Sequence, residues 1–160
     1  MRLAIRPAVR SDIPLVHRLI GELAAYERLS HEMVATPADL GRALFEPPAR
    51  AFCDLAERDG EPLGFALWFY TYSTFQGRSG LYLEDLYVRP AARRAGVGQA
   101  LLRALARRCV NEGLGRLSWS VLDWNQPAID FYQGLGARLT VDWTGCRLEG
   151  EALAALGAPR

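Results

Sequence analysis

The chain has 160 residues, of which 50% are hydrophobic and 23% charged, with a formal net charge of +1. A chain of this length and composition can bury a core of its own, which excludes a disordered or fibrous protein. The near-zero net charge provides no field for a nucleic acid, and the longest apolar run, 63–72, is too short to span a bilayer. We therefore expect one globular domain over residues 1–160, in the cytoplasm, with no nucleic-acid or membrane partner.

Cysteines and histidines show no spacing that would build a metal site or a disulfide framework. The three cysteines, Cys53, Cys109 and Cys146, lie far apart, and His17 and His31 each stand without a neighbouring ligand. We expect reduced thiols and no metal.

The first half of the chain predicts a strand, two helices and a hairpin. A short strand over 3–7 precedes apolar residues at helical spacing from Ile13 to Leu23. Thr36 and Asp39 flank a proline, a pattern typical of a helix start, and this second helix should end near Phe45. The β-rich runs 51–57 and 63–72 are joined through Asp59-Gly60, which predicts antiparallel neighbours.

The second half alternates strands and helices. Strands are predicted over 80–89, 117–122 and 138–148, with helices over 99–110 and 125–135. The whole order, β, α, α, β, β, β, α, β, α, β, predicts a mixed α/β fold with one antiparallel half and a second half of strand–helix–strand crossovers.

A glycine-containing turn joins the strand over 80–89 to the helix that follows. It reads Arg93-Arg94-Ala95-Gly96-Val97-Gly98. Glycines allow close backbone approach, and the free N–H groups and dipole of a helix start favour an anion such as a pyrophosphate. The spacing differs from the dinucleotide and P-loop fingerprints. An ordinary turn before a helix is the alternative interpretation.

Two separated motifs together resemble a known family. The pattern Arg-x-x-Gly-x-Gly after 81–88, with 124–132 downstream, resembles the GNAT superfamily of acetyl-CoA-dependent N-acetyltransferases. From Ile5 nearly to the C-terminus the chain is similar to the spermidine/spermine (diamine) N-acetyltransferase group, and 72–78 and 121–126 are most similar to its thialysine-acetylating branch. The resemblance implies a mixed central sheet with helices on both faces and a splayed, cofactor-binding strand pair.

Acetyl-CoA is the cosubstrate that this resemblance implies. The backbone of Leu86, Tyr87 and Val88 would pair with the pantetheine amides, although core packing alone also explains such side chains. Either Arg93 or Arg94 would add charge-assisted bonds to the pyrophosphate. The remaining implied cofactor contacts are Ala95, Gly96, Val97, Gly98 and Gln99, whose N–H groups line the turn, with Asn125 and Tyr132 downstream.

Acetyl transfer to an amine needs a proton donor and a proton acceptor. A tyrosine phenol, with a pKa of about 10 in peptides, is protonated at neutral pH, and the resemblance places Tyr132 at the departing thiolate. It also implies Glu84 as the base, through an ordered water. A buried aromatic for Tyr132 and a cross-strand ion pair for Glu84 are the alternatives.

The resemblance also implies residues that hold the amine. Tyr26 and Glu27 match a substrate-gripping pair, and Asp85 can join Glu84 only if a bulge changes its direction on the strand. Ser73 and Phe75 stand where diamine-specific relatives carry an acid and a tryptophan, which favours a small amine over spermine.

We therefore expect direct transfer from acetyl-CoA to the primary amine of a thialysine-like amino acid, diamine or polyamine, with no covalent acetyl-enzyme. The alternatives are an acetyltransferase for protein N-termini or an antibiotic amine, and a non-catalytic acyl-CoA sensor that would not need Glu84 together with Tyr132. Kinship further implies a homodimer, for which the apolar stretch 148–156 would suit an interface.

Overall fold

A computed structural model describes residues 2–159. It divides into two compact units, Met1–Leu122 and Asp123–Arg160. Each unit is built from its own elements, and they are taken in turn.

The first unit is a five-stranded sheet with helices on its faces. Its strands are β1 (Leu3–Pro7), β2 (Phe52–Arg58), β3 (Glu61–Ser73), β4 (Arg78–Val88) and β5 (Leu117–Trp119). Its helices are α1 (Ile13–Tyr26), α2 (Pro37–Phe45) and α3 (Val97–Glu112), with short 3₁₀ turns at Arg10–Asp12, Ser30–Glu32 and Pro90–Ala92. The strand order is β1-β2-β3-β4-β5, antiparallel up to β4 and parallel between β4 and β5. The predicted mixed sheet is confirmed.

Local signals explain where these elements begin. The Thr36 hydroxyl accepts from the Asp39 amide at 3.2 Å, and Asp39 accepts from the Thr36 amide at 2.8 Å, so the predicted cap starts α2. Asp59 and Gly60 have φ values of 52° and 80°, the left-handed pair that closes a two-residue hairpin between β2 and β3.

The two faces of the sheet are covered by different helices. Alternate residues of β2 and β3, among them Leu55 and Phe65, pack on α1 and α2 in one buried cluster. The opposite face carries Trp68, over which Arg108 of α3 lies with its Cζ 4.8 Å from the ring centroid. Helices therefore lie on both faces, as predicted.

Glycine is required where β3 approaches β4. A Cβ on Gly64 would lie 2.3 Å from the carbonyl oxygen of Tyr87, a separation that no side chain tolerates. Gly64 pairs with Val88, the last residue of β4. Its missing side chain lets the two backbones pair up to the end of that strand.

The second unit contains two helices, α4 (Gln126–Gly134) and α5 (Gly150–Gly157). Pro127 stands in the first turn of α4, and the Gln126 side chain donates to Asp130 at 2.7 Å. The strand predicted over 138–148 is wrong: within the described chain these residues form no strand, and Leu139, Val141 and Trp143 are exposed. Alternating apolar residues favour a strand, but a strand also needs a partner for its hydrogen bonds.

Candidate active site

The candidate site of the first unit lies where β4 ends. The parallel pairing with β5 covers only Leu81, Leu83 and the residue between them. Beyond Leu83, in the described part of the chain, β4 pairs with β3 alone. This is the splayed strand pair expected from the sequence, and Leu86, Tyr87 and Val88 lie on its open section. An edge of this kind can accept an extended, amide-containing ligand.

A bulge at Glu84 redirects the strand at the start of that section. Leu83 pairs with Trp68 and Asp85 with Leu67, so Glu84 has no opposite residue on β3. The extra residue puts Asp85 on the same face as Leu67, towards α1, whereas regular alternation would have put it on the α3 face. The condition under which Asp85 could join Glu84 is therefore met.

Three carboxylates lie near enough to this bulge for their charges to interact. Burial, followed by the charges of Glu84 and then Glu27, raises the pKa of Asp85 to about 7. Burial also raises the pKa of Glu27, which directly follows α1. The structure thus brings together three of the residues that sequence reasoning assigned to the amine. It adds one property that the sequence did not reveal, a carboxyl group that titrates near neutrality; two consecutive acids in a strand are the only signal that could have suggested it.

An ion pair holds α1 against the end of β4. Arg89 donates to both carboxylate oxygens of Glu22, at 3.0 and 3.2 Å, and to the Pro62 carbonyl at 3.1 Å. Bidentate geometry of this kind restricts both side chains. It fixes the end of α1, with Tyr26 and Glu27, beside the strand.

The glycine turn follows directly. Arg94 and Gly96 have φ values of 63° and 78°, and Gly96 starts α3 without a side-chain cap. The amides of Val97, Gly98 and Gln99 therefore have no intrahelical acceptor. A Cβ on Gly96 would meet nothing within 4 Å, so its glycine is required by backbone conformation and the space above it is open. Such a turn suits an anion.

The two arginines of the turn differ in their surroundings. Arg93 donates from Nε to the Val88 carbonyl at 3.0 Å, and its guanidinium carbon lies 4.7 Å from the ring centroid of Tyr26. Arg94 and Ala95 are exposed. Both arginines stay predicted pyrophosphate ligands, and Arg93 has structural contacts besides.

Asn125 and Tyr132 belong to the second unit. Asn125 is buried and precedes α4, and Tyr132 lies in its last turns, where its ring centroid is 5.5 Å from that of Phe131. Their roles at the cofactor, and that of Tyr132 as the acid, stay predictions. Among residues 2–159 no three side chains of the types that ligate metals are arranged to hold an ion. No helix of the described chain is long and apolar enough to cross a membrane.

An open strand edge, a glycine turn before a helix and a carboxylate cluster beside them are compatible with an acetyltransferase. The family model described as "Acetyltransferase (GNAT) family" matches residues 16–137. The chain belongs to this family, and it is an N-acetyltransferase, as expected from the sequence.

Curated relatives support the same classification. The L-ornithine N5-acetyltransferase of Arabidopsis thaliana is 32% identical over 95% of this chain and 86% of its own length. The thialysine N-epsilon-acetyltransferase of Bos taurus is 37% identical over 93% and 94%. An integron cassette protein from the mobile metagenome of V. cholerae has a TM-score of 0.82 at 27% identity, with 99% of each chain covered. The resemblance drawn from the sequence is confirmed.

Proposed function

We propose that this N-acetyltransferase moves the acetyl group of acetyl-CoA to a primary amine of a small cationic substrate. The observation that carries the proposal is the cluster of Glu27, Glu84 and Asp85 beside the open edge of β4. Three acids at one place repel one another, and an ammonium group relieves that repulsion. Relatives named for ornithine and for thialysine, both amino acids with a side-chain amine, point to the same class of substrate.

The amine has to lose a proton before it can attack. At pH 7 this costs about 4 kcal/mol for an ammonium with a pKa of about 10. Asp85, with its pKa raised to about 7, is suited to accept a proton at neutral pH. Glu84, exposed at the bulge, is the other candidate and would act through a water. Both are within one residue of each other, so the pair can share the tasks of binding and deprotonation.

The residues of the turn fit a pyrophosphate. The amides of Val97, Gly98 and Gln99 at the start of α3 lack an intrahelical acceptor, a Cβ on Gly96 would meet nothing within 4 Å, and the helix start favours negative charge. Backbone groups of Leu86, Tyr87 and Val88 would hold the extended arm of the cosubstrate. The amine nitrogen then attacks the thioester carbonyl carbon, the C–S bond breaks, and the leaving thiolate takes a proton from the Tyr132 hydroxyl. The extra proton on the new amide nitrogen returns to the Tyr132 oxygen, which restores the phenol.

Assembly and location complete the proposal. Leu148, Leu153 and Leu156 are exposed in the described chain. An interface with a second copy would remove these apolar side chains from water. We therefore propose a homodimer. The three cysteines are unpaired, in keeping with a reducing compartment such as the cytoplasm.

A panel of amines, assayed for acetyl-CoA-dependent release of CoA, tests the proposed substrate class. Thialysine, ornithine, lysine, putrescine, spermine, an aminoglycoside and a peptide N-terminus should be compared by kcat/KM. We expect the small amines to exceed spermine by about 10-fold or more, since Ser73 and Phe75 supply no charge for a further ammonium. Spermine as the best substrate would replace this proposal with a polyamine acetyltransferase. Binding of acetyl-CoA without CoA release from any amine would indicate a sensor.

A further inference from the structure

A cavity of about 150 Å³ lies on the first unit away from the carboxylate cluster. It is bounded by the end of β1, the end of α2, the first residues of β2, β3 and the C-terminal part of α3. Asp54 pairs with Ala66, and Ala66 pairs with Leu86, so two strand spacings separate Asp54 from β4. Asp54 shares the Trp68 face of the sheet, whereas Asp85 is on the face of α1. The Asp54 and Trp68 side chains that line the cavity are thus on the opposite face of the sheet from Asp85.

A buried carboxylate lines this cavity. Asp54 is 6% exposed, and Trp68 donates from Nε1 to its Oδ2 at 3.1 Å. Among the described residues no basic nitrogen lies within 4.0 Å of it. Burial raises the pKa of Asp54, whereas the hydrogen bond from Trp68 and the charge of Arg108 lower that pKa. A buried acid without a paired cation is a position that a bound cation would stabilise.

Three aromatic rings form another part of the lining. Phe52 stacks on Trp68 with 4.7 Å between centroids, and Tyr70 meets Trp68 edge-on at 5.2 Å. Aromatic faces attract ammonium groups and also exclude water from them. The rings and Asp54 therefore favour the same kind of group, a small cation.

Arg108 adds a positive charge to the same cavity. Its guanidinium lies over Trp68, and Glu112, its nearest carboxylate, is 3.9 Å away and also accepts the Tyr70 hydroxyl at 2.7 Å. A simple cation would be repelled by Arg108. A ligand that carries a carboxylate as well as an ammonium group would satisfy Arg108 and Asp54 together.

We propose that this cavity binds a small zwitterion, an amino acid of few heavy atoms, with its ammonium group at Asp54 and its carboxylate at Arg108. The two opposite charges in the lining determine the class of ligand, and the cavity volume of about 150 Å³ limits its size. Since amino acids with a side-chain amine are the proposed substrates, a second site for amino acids would let the enzyme respond to their concentration. The binding itself does not depend on that role.

Calorimetric titration of the whole protein tests the site directly. The probes are glycine, β-alanine and γ-aminobutyrate, with methylammonium and acetate as single-charge controls. We expect saturable millimolar binding of at least one zwitterion, with both single-charge probes binding at least 10-fold more weakly. Equal binding of methylammonium, or no saturable binding of any zwitterion, would overturn the proposal.

Variants locate the binding. Asp54→Asn keeps the shape of the side chain and should weaken zwitterion binding at least 10-fold, as should Arg108→Gln on the surface of α3. Asp85→Asn, at the carboxylate cluster, is the matched control and should leave it unchanged. Thermal unfolding checks that each variant is folded, and Arg108→Gln serves alone if Asp54→Asn does not fold. Binding that is lost in Asp85→Asn and kept in the folded cavity variants would assign the ligand to the amine site instead.

Discussion

The guanidinium of Arg93 lies over the ring of Tyr26, with 4.7 Å between its central carbon and the ring centroid. Arg93 is the first residue of the glycine turn, and Tyr26 is the last residue of α1, next to Glu27. The same guanidinium lies 5.9 Å from the ring of Tyr87 on β4. One side chain therefore links the turn, the strand and the helix end that carries part of the carboxylate cluster.

Removing this link should affect both substrates. A cation–π contact of this kind contributes about 1 kcal/mol, which corresponds to about 5-fold in affinity. We expect Arg93→Ala to raise KM for acetyl-CoA and KM for the amine by about that factor. Arg94→Ala, the neighbouring control, should raise KM for acetyl-CoA alone. Steady-state kinetics with each substrate varied in turn measure the difference; an Arg93→Ala variant with an unchanged amine KM would restrict Arg93 to the cofactor.

Tyr132→Phe removes a hydroxyl and keeps the ring. Loss of a general acid typically lowers turnover by about 100-fold, and we expect that decrease in kcat with little change in acetyl-CoA binding. Single-turnover rates and a binding titration on the same preparation distinguish the two effects. Turnover equal to that of the unsubstituted enzyme would leave Tyr132 as a packing residue.

Gly96 allows a matched pair of substitutions. Asn and Asp have the same shape, and both tolerate a positive φ better than other residues do, so Gly96→Asn measures the backbone strain and Gly96→Asp adds only the charge. We expect Gly96→Asp to bind acetyl-CoA about 10-fold more weakly than Gly96→Asn, or about 1.4 kcal/mol. Calorimetry with CoA measures this ratio. Equal affinities would mean that no phosphate approaches the turn.

The pKa of Asp85 predicts how stability changes with pH. Because burial and two neighbouring acids raise it from 3.8 to about 7, the folded state holds a proton that the unfolded chain has released between these pH values. The free energy of unfolding therefore decreases as pH rises through this window, by at most about 4 kcal/mol. Asp85→Asn stays neutral, so we expect it to match the unsubstituted protein near pH 4 and to be more stable at pH 8.

Thermal unfolding across this pH range is the measurement. Glu84→Gln removes one of the two neighbouring charges and should reduce the pH-dependent loss of stability without abolishing it, because burial is the larger cause of the raised pKa of Asp85. If the difference in free energy of unfolding between Asp85→Asn and the unsubstituted protein does not vary with pH, Asp85 does not titrate in this window. The same variant should lose the neutral-pH limb of the kcat/KM profile if Asp85 is the base.

Much of the fold could be predicted because its signals are local. The caps at Thr36 and Asp39, the turn at Asp59-Gly60 and the apolar spacing of the first helix each depend on residues close in sequence. The strand predicted over 138–148 failed because strand formation depends on a partner elsewhere in the chain. Helix α5 was missed although its alanines, leucines and Glu151 favour a helix.

The features of the site also differ in whether they depend on local sequence or on tertiary packing. Glycine spacing and the acids of β4 can be found in the sequence, whereas the contact of Arg93 with Tyr26 and the burial of Asp54 depend on tertiary packing. Asp54 carries no sequence signal at all: an acid between apolar neighbours in a predicted strand resembles an outward-facing residue. Only the pairing of β2 with β3, which places it beside Trp68, reveals its surroundings.

Because Glu84 has no opposite residue on β3, the alternation of side chains along β4 changes at this residue. Before it, the odd-numbered Leu81 and Leu83 face α3; after it, the odd-numbered Asp85 and Tyr87 face α1. Deleting Glu84 would leave Leu83 opposite Trp68 and Asp85 opposite Leu67, so the later side chains would keep their faces and β4 would lose only its bulge. The extra residue therefore sets the local shape of β4 and not the facing of its later side chains, and a relative that is one residue shorter here should have a regular β4 with the same residues facing α1.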